Sequence, residues 1–154
     1  MEKNPDGLEV KLVQSRAQLR QAFAVREKVY IEEQQIDRED EFDEFEPVSR
    51  HFIALSGDQA IGAARWRYTD EGVKLERFAV LPEFRKRGIA SELVRSVIED
   101  IRKHAGFNGQ KLYLNAQLSA MPLYAKFGFL PAGNRFLECD IEHQRMELKL
   151  VVPG

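Results

Sequence analysis

Residues 76–101 read ERFAVLPEFRKRGIASELVRSVIEDI, and this stretch decides the fold. Its approach, from Val73 to Leu81, is rich in apolar, β-compatible residues and predicts a strand. Pro82 has no N–H to give to a ladder, so the strand should stop there. From Ile89 onward, Ile89, Leu93, Val94, Val97, Ile98 and Ile101 recur at helical spacing. Between strand and helix lies Arg85-Lys86-Arg87-Gly88-Ile89-Ala90, which joins three cations to a glycine at a helix start. The first turn of a helix leaves backbone amides without intrahelical partners and carries partial positive charge. Gly88 and the small Ala90 let a phosphate come close to those amides, so a phosphorylated ligand is expected. A basic loop that only caps a helix is the plain alternative. The absence of a Gly-Lys-Ser/Thr ending argues against a nucleotide-hydrolysing P-loop, and the absence of Gly-x-Gly-x-x-Gly argues against a dinucleotide fold.

The chain has 154 residues, which predicts one domain over 1–154 with a sizeable core. A formal net charge of −2 gives no reason to expect nucleic acid or an anionic membrane as partner. No apolar run approaches the ~18 residues of a spanning helix, and the N-terminus lacks the plan of a signal peptide, so a cytoplasmic protein is expected. Cys139 is the single cysteine, and His51, His104 and His143 are far apart with no Cys-x-x-Cys, so neither an internal disulfide nor a metal site is expected.

Residues 1–8, with Asn4-Pro5-Asp6-Gly7, are expected to be a mobile lead-in. Glu9 to Gln14 suits a first strand, and Ser15 can cap the next helix. On that helix Leu19, Ala22, Phe23, Arg26, Val29 and Tyr30 share a broad face. Two readings fit Arg26: its stem snorkels from the core edge, or its head lines a pocket. The segment Glu32–Glu46, EEQQIDREDEFDEFE, is the most acidic in the chain. Such runs are usually solvated, yet Ile36, Phe42 and Phe45 suggest that it packs down, in which case Glu41 and Asp43 could face a cationic amine. Arg50–Ser56 and Gln59–Thr69 form a hairpin around Gly57-Asp58, and Asp70-Glu71-Gly72 turns the chain into the central strand. Lys111–Ala116 is a short buried strand. Ser119 is expected to cap a short helix, MPLYAKF, which Gly128 stops. Phe129 onward and His143–Val152 read as two closing strands, with Met146, Leu148 and Leu150 facing inward.

At Arg85, Gly88 and Ala90 the sequence resembles the GNAT superfamily of acetyl-CoA-dependent N-acetyltransferases, whose signature is Arg/Gln-x-x-Gly-x-Gly/Ala. The segment Ala120–Phe129 likewise resembles the superfamily's Ala-x-x-Leu-Tyr-x-Lys-x-Gly-Phe ending. The resemblance runs from about Arg16 to Leu150 and is strongest to a small bacterial branch of undefined acceptor. It implies an α/β fold in the order β-α-β-β-β-α-β-α-β-β, a mixed, mostly antiparallel sheet flanked by helices. It also implies acetyl-CoA as co-substrate, a small-molecule amine acceptor, and in many members a homodimer. By resemblance the amides from Arg85 through Lys86, Arg87, Gly88 and Ile89 to Ala90 would bind the coenzyme A pyrophosphate, and Ser91, Tyr124 and Lys126 would also contact the cofactor. The pantetheine arm would lie along Phe78, Ala79 and Val80. The asparagine usual three residues before Ala120 is replaced by Gln117, while Asn115 lies two residues earlier, so which amide touches the cofactor arm stays open.

Acetyl transfer needs a neutral amine, a donor for the oxyanion and a proton for the leaving thiolate. By resemblance the Val80 amide is the oxyanion donor and Tyr124 the general acid. A phenol ionises near pH ~10, so at neutral pH it holds the required proton; a packing tyrosine is the alternative. Glu76, on the same side of the strand as Phe78 and Val80, is either the base or a member of a network with Arg65, Arg67 or Arg77; Glu41, Asp43 and an ordered water are the other candidates for the base. His51 and Arg67 are further acceptor-site candidates. Arg26, Tyr30, Asp40, Asp43 and Arg67 also faintly resemble acyl-homoserine-lactone synthases, and a non-catalytic acetyl-CoA-binding sensor is the third possibility.

Overall fold

The structure, a computed structural model, describes residues 7–151. The expected lead-in therefore falls mostly on residues outside the described ones, and its last member, Leu8, instead opens β1 as a buried residue. β1 (Leu8–Leu12) pairs antiparallel with β2 (Arg50–Ser56), and β2 with β3 (Gln59–Thr69). Gly57 supplies the left-handed residue of the β2–β3 turn at φ +61°. β3 pairs antiparallel with β4 (Gly72–Val80), which stops where Pro82 enters a short 3-10 turn.

Ser15 starts α1 (Arg16–Arg26), its hydroxyl oxygen accepting the Gln18 amide at 3.1 Å. Past Arg26 the helix widens into a π turn over Glu27–Glu33 and closes with the Gln34 amide on the Val29 carbonyl. A single turn, α2 (Arg38–Glu41), then lies within the acidic segment.

Helices cover both faces of the sheet. A methyl group on Gly62 would sit 3.1 Å from Leu93 of α3 (Ile89–Lys103), and the Trp66 indole donates to Asp100 of the same helix at 2.9 Å. Arg65 leaves β3 on the opposite face, toward the acidic segment. All six apolar positions of α3 expected to face inward are buried. Their removal from water is the main stabilisation of this layer, about 1.5–3 kcal/mol for each large aliphatic side chain. Among the described residues, no helix is long and apolar enough to cross a membrane.

The sheet order is β1-β2-β3-β4-β5-β8-β6, with β7 on β8. Among the described residues only β4 and β5 (Leu112–Gln117) run parallel, and they pair only at Val73–Leu112 and Lys74–Tyr113. Beyond Lys74 the two strands part and the sheet opens into a cleft. On the other edge of β4, the register against β3 slips between Ala63 and Arg65. Ala64 thus opposes both Arg77 and Phe78, and Arg77 takes the left-handed φ of +61°. Through this bulge Glu76 and Arg77 both reach the acidic segment's side of the sheet.

The C-terminal third differs from expectation in two places. Ser119 makes no capping bond; a 3-10 turn over Leu118–Ala120 leads into α4 (Met121–Ala125) instead, and Gly128 leaves it at φ +98°. Three closing strands replace the two expected: β6 (Leu130–Pro131), β7 (Phe136–Glu138) and β8 (Ile141–Leu148). A two-residue turn joins β7 to β8 with Cys139 at φ +51° and Asp140 at φ +62°. Such turns usually take Asn or Gly, so the sequence carries little sign of this hairpin. β8 ends at Leu148, and position 152 of the expected strand lies outside the described residues.

Candidate active site

The parting of β4 and β5 faces the start of α3, and a cavity of about 560 Å³ occupies that corner. Gly88 is the N-cap of α3 in the left-handed conformation at φ +80°, and no side chain caps the helix. The amides of its first turn are therefore not taken up by a capping side chain. Nothing lies within 4 Å of where a Gly88 Cβ would be, so the loop is open on its outer side. Lys86 and Lys126 line the cavity, Lys126 donating to the Ser91 hydroxyl at 3.1 Å. Arg85 is differently engaged. Its Nε donates to the Val80 carbonyl at 2.9 Å, while its two terminal nitrogens grip the Glu33 carboxylate at 2.7 and 2.6 Å. That hydrogen-bonded grip holds the Glu33 carboxyl below its ordinary range. Arg87 lies outside the cavity lining, its guanidinium 5.3 Å from the Phe84 ring centroid.

A second cavity of about 170 Å³ lies beneath the acidic segment. The two share Gln34, Phe78, Gln117, Ala120 and Tyr124, so they meet where Phe78 and Tyr124 touch edge to face at 5.7 Å. Tyr124 is 7% exposed; its hydroxyl makes no hydrogen bond within the described residues, and since no fully buried side-chain polar atom among them lacks a partner, that hydroxyl opens onto the cavity. Burial, with Tyr30 nearby, pushes this phenol well above its ordinary ionisation range. Tyr30 donates to the Phe78 carbonyl at 2.6 Å and so ties the π turn to β4. Gln117 reaches both cavities and donates to the Gln34 side chain at 2.8 Å, whereas Asn115 lines only the smaller one.

Several expected acceptor-site residues are placed elsewhere. Arg26 neither snorkels nor lines a pocket: at 1% exposure it donates to Glu41 at 2.8 Å and to Glu46 at 2.7 and 2.9 Å. Asp43 is gripped by Arg65 at 2.9 and 2.8 Å. Arg67 covers Phe45 at 3.8 Å and binds Glu76 at 3.0 Å. The His51 Nε2–H donates to the Glu46 carbonyl at 2.9 Å, and burial lowers the pKa of its ring. Arg26, Asp43, Arg67 and His51 line neither cavity. Their charges and hydrogen bonds hold the acidic segment down, because a buried ion costs several kcal/mol unless it is paired.

Glu41 and Glu76 do line the smaller cavity. Glu41 is held by Arg26 and by Arg77 at 3.2 Å, although burial pushes its carboxyl upward against them. Glu76 is held by Arg65, Arg67 and Lys74 at 2.8 to 3.0 Å. Burial works to raise its pKa, but the Arg67 hydrogen bond and the charges of Arg65 and Lys74 outweigh it and hold it at about 2. Among the residues at this cavity without a site role in the sequence are Gln34, Glu138, Cys139 and His143. Their places depend on the π turn and the β7–β8 hairpin, neither of which leaves a periodic signal. Among the described residues no cluster of His, Cys, Asp and Glu could hold a metal ion.

A mixed sheet parted between two parallel strands, with a helix start facing the gap, is the fold of the acyl-CoA N-acyltransferases. Escherichia coli ElaA superposes with a TM-score of 0.75 at 24% identity, covering 90% of this chain and 98% of its own. A GNAT family acetyltransferase from Elizabethkingia anophelis, crystallised with acetyl-CoA bound, superposes with a TM-score of 0.71 at 16% identity, over 94% of this chain and 99% of that one. In sequence, the uncharacterized N-acetyltransferase YjcF of Bacillus subtilis is 36% identical over 136 residues, 88% of this chain and 95% of YjcF. The family model described as "Acetyltransferase (GNAT) domain" matches residues 15–150, and the chain belongs to that family. It is an acetyltransferase.

Proposed function

We propose that the protein moves an acetyl group from acetyl-CoA to a primary amine of a small-molecule acceptor, with Tyr124 as general acid. The observation that carries this reading is the junction: the ring of Tyr124 is buried, and its hydroxyl, unpartnered among the described residues, opens where two cavities share their lining. The residues of the larger cavity suit coenzyme A. Lys86, Lys126 and the first amides of α3 offer positive charge and N–H groups to a diphosphate. Phe78, Ala79 and Val80 offer the arm an edge of β4 that β5 has left. Because the Leu81 amide bonds the Ile61 carbonyl at 2.9 Å on the β3 side, the Val80 amide, one residue earlier, faces the opposite, open edge. We assign it to the negative charge that develops on the thioester oxygen. Tyr124 then gives its proton to the departing sulfur. Neither Glu76 nor Glu41 nor Asp43 is assigned the base role, since each is already held by guanidinium groups.

The test is a panel of amines with acetyl-CoA and a colorimetric thiol readout. Thiol release that depends on one class of amine supports the proposal. Calorimetric binding of coenzyme A without release on any amine would overturn it in favour of a binding protein.

Glu33 gives a second expectation. Its carboxylate stands at the larger cavity and occupies Arg85. Glu33→Gln removes an anion that competes with phosphate, so coenzyme A affinity should rise about threefold at low salt, the gain shrinking as salt screens it. Unchanged affinity at low salt would place the diphosphate away from Arg85.

A further inference from the structure

The carboxylates nearest the open edge of β4 are held by cations, yet an amine must lose a proton before it attacks. One buried titratable group at the smaller cavity has a free acceptor atom. His143, on β8, is 7% exposed and sits opposite Gln117 of β5 in the strand register. Its Nδ1 lies 2.7 Å from the Ile141 carbonyl, and a carbonyl can only accept, so Nδ1 carries the proton. Nε2 of the neutral ring therefore keeps its lone pair. The Glu138 carboxylate lies 3.7 Å from Nε2, beyond hydrogen-bond length. Phe136, directly opposite His143 in the β7–β8 pairing, stacks on the ring at 5.8 Å and fixes its plane. The left-handed turn at Cys139-Asp140 folds Glu138 back beside the histidine. Two non-glycine residues at positive φ are a costly way to make a turn and tend to persist where geometry matters.

We propose that His143 is the general base of this acetyltransferase, with Glu138 as its positioning carboxylate. The inference rests on the amine-acetylation reading above. An acceptor entering as an ammonium gives one proton to Nε2, directly or through one water. The neutral nitrogen attacks the thioester carbon; the C–N bond forms, the C–S bond breaks, and the sulfur leaves with the proton from Tyr124. The second proton of the acylated nitrogen restores Tyr124, and the imidazolium releases its proton to solvent. Acetyl-CoA and an ammonium thus become an amide, a thiol and one proton.

Other charges face the same cavity: Asp40 and Glu41 from the acidic segment, and Lys74, Glu76 and Arg77 from β4. Glu41, Lys74, Glu76 and Arg77 are ion-paired with one another or with buried arginines. Asp40 and Glu138 are the carboxylates at this cavity outside those pairs. Cys139 and the buried phenols Tyr30 and Tyr124 are all raised, chiefly by burial, and stay protonated near neutral pH. The polar residues that β5 contributes, Asn115 and Gln117, are uncharged.

The experiment uses the full chain and the best amine of the panel, with kcat/KM measured across pH and coenzyme A binding by calorimetry. His143→Gln should lower kcat/KM about 100-fold, remove the acidic limb of the profile and leave coenzyme A affinity unchanged. His143→Ala should regain part of its rate with added imidazole, which a packing role would not give. Glu138→Gln, at a half-exposed side chain, should fold normally and move the limb to lower pH, because the imidazolium loses a nearby carboxylate. A His143→Gln enzyme within about threefold of the parent and with the same limb overturns the inference. So does an unmoved limb in Glu138→Gln if the histidine variants fail to fold. Binding of coenzyme A with no turnover by the parent protein would instead remove the amine-acetylation reading, and this inference with it.

Discussion

Arg65→Met is expected to destabilise the fold by about 3–5 kcal/mol and to lower Tm by roughly 10 °C. Arg65 is fully buried and donates to Glu76 at 2.9 Å and to Asp43 at 2.9 and 2.8 Å, with Glu46 at 2.8 Å. Removing the cation leaves buried and partly buried carboxylates with too few counter-charges among their remaining partners. The cost is the stranding of these anions more than the loss of the pairs themselves. Adding Asp43→Asn to Arg65→Met should therefore recover part of the loss, which a plain packing defect would not allow.

The same network sets the acid response. A carboxylate whose folded pKa lies below its unfolded value stabilises the fold above the unfolded value, and loses that contribution as pH falls toward the folded one. Glu76 drops from an ordinary 4.5 to about 2, a difference on the order of 3 kcal/mol. Against burial, Asp43 is also held low by Arg65, and Glu46 by Arg26 and Arg65. Stability should thus decline across the window from about 4.5 to about 2, more steeply in the parent than in Arg65→Met. Chemical denaturation at stepped pH measures it. Equal slopes in the two proteins, or a Tm loss under about 2 °C for the single variant, would mean that Arg65 is not the keystone of the segment.

Tyr124→Phe is expected to lower kcat roughly 10²–10³-fold with coenzyme A affinity unchanged. The substitution keeps the ring that packs on Phe78 and Phe129 and removes only the hydroxyl. That hydroxyl holds no partner within the described residues, so its loss costs the fold almost nothing. Because burial keeps the phenol protonated far above neutral pH, the deficit should be constant across the working range. Acceptors with which expulsion of the thiolate limits the rate should feel it most. A variant within a few fold of the parent in kcat would hand the proton to water and leave Tyr124 a packing residue.

How much of the fold is legible in the sequence depends on how far apart the interacting residues lie. The α3 helix is legible because its six apolar positions repeat at one spacing within 15 residues. The ends of β4 and α4 are legible because Pro82 and Gly128 act on their own neighbours. The loop at Arg85–Ala90 can be placed before a helix by the same local logic. The acidic segment is not legible in this way. Its partners Arg26, Arg65 and Arg77 come from three separate elements, and only the folded sheet brings them under Glu41, Asp43 and Glu46. Read alone, EEQQIDREDEFDEFE looks like a surface that invites a cation, whereas most of its buried carboxylates already have one. The bulge at Arg77 and the turn at Cys139-Asp140 stay hidden because neither contains the glycine or asparagine that usually marks a left-handed residue. His143 is hidden with them, since only that hairpin sets Glu138 and Phe136 around it.

The π turn at Glu27–Glu33 makes residue count itself a structural variable. Up to Arg26 the helix looks into the ion network, and from Tyr30 to Gln34 it looks into the cleft, because the wide turn inserts an extra step between the two. Losing one residue there would restore ordinary winding and swing the C-terminal end of the helix by about 100° around the axis. The Tyr30 hydroxyl would leave the Phe78 carbonyl, and Gln34 would leave both chambers it now separates. A one-residue gap that most surface helices absorb at their ends would here rotate a wall of the cleft out of place.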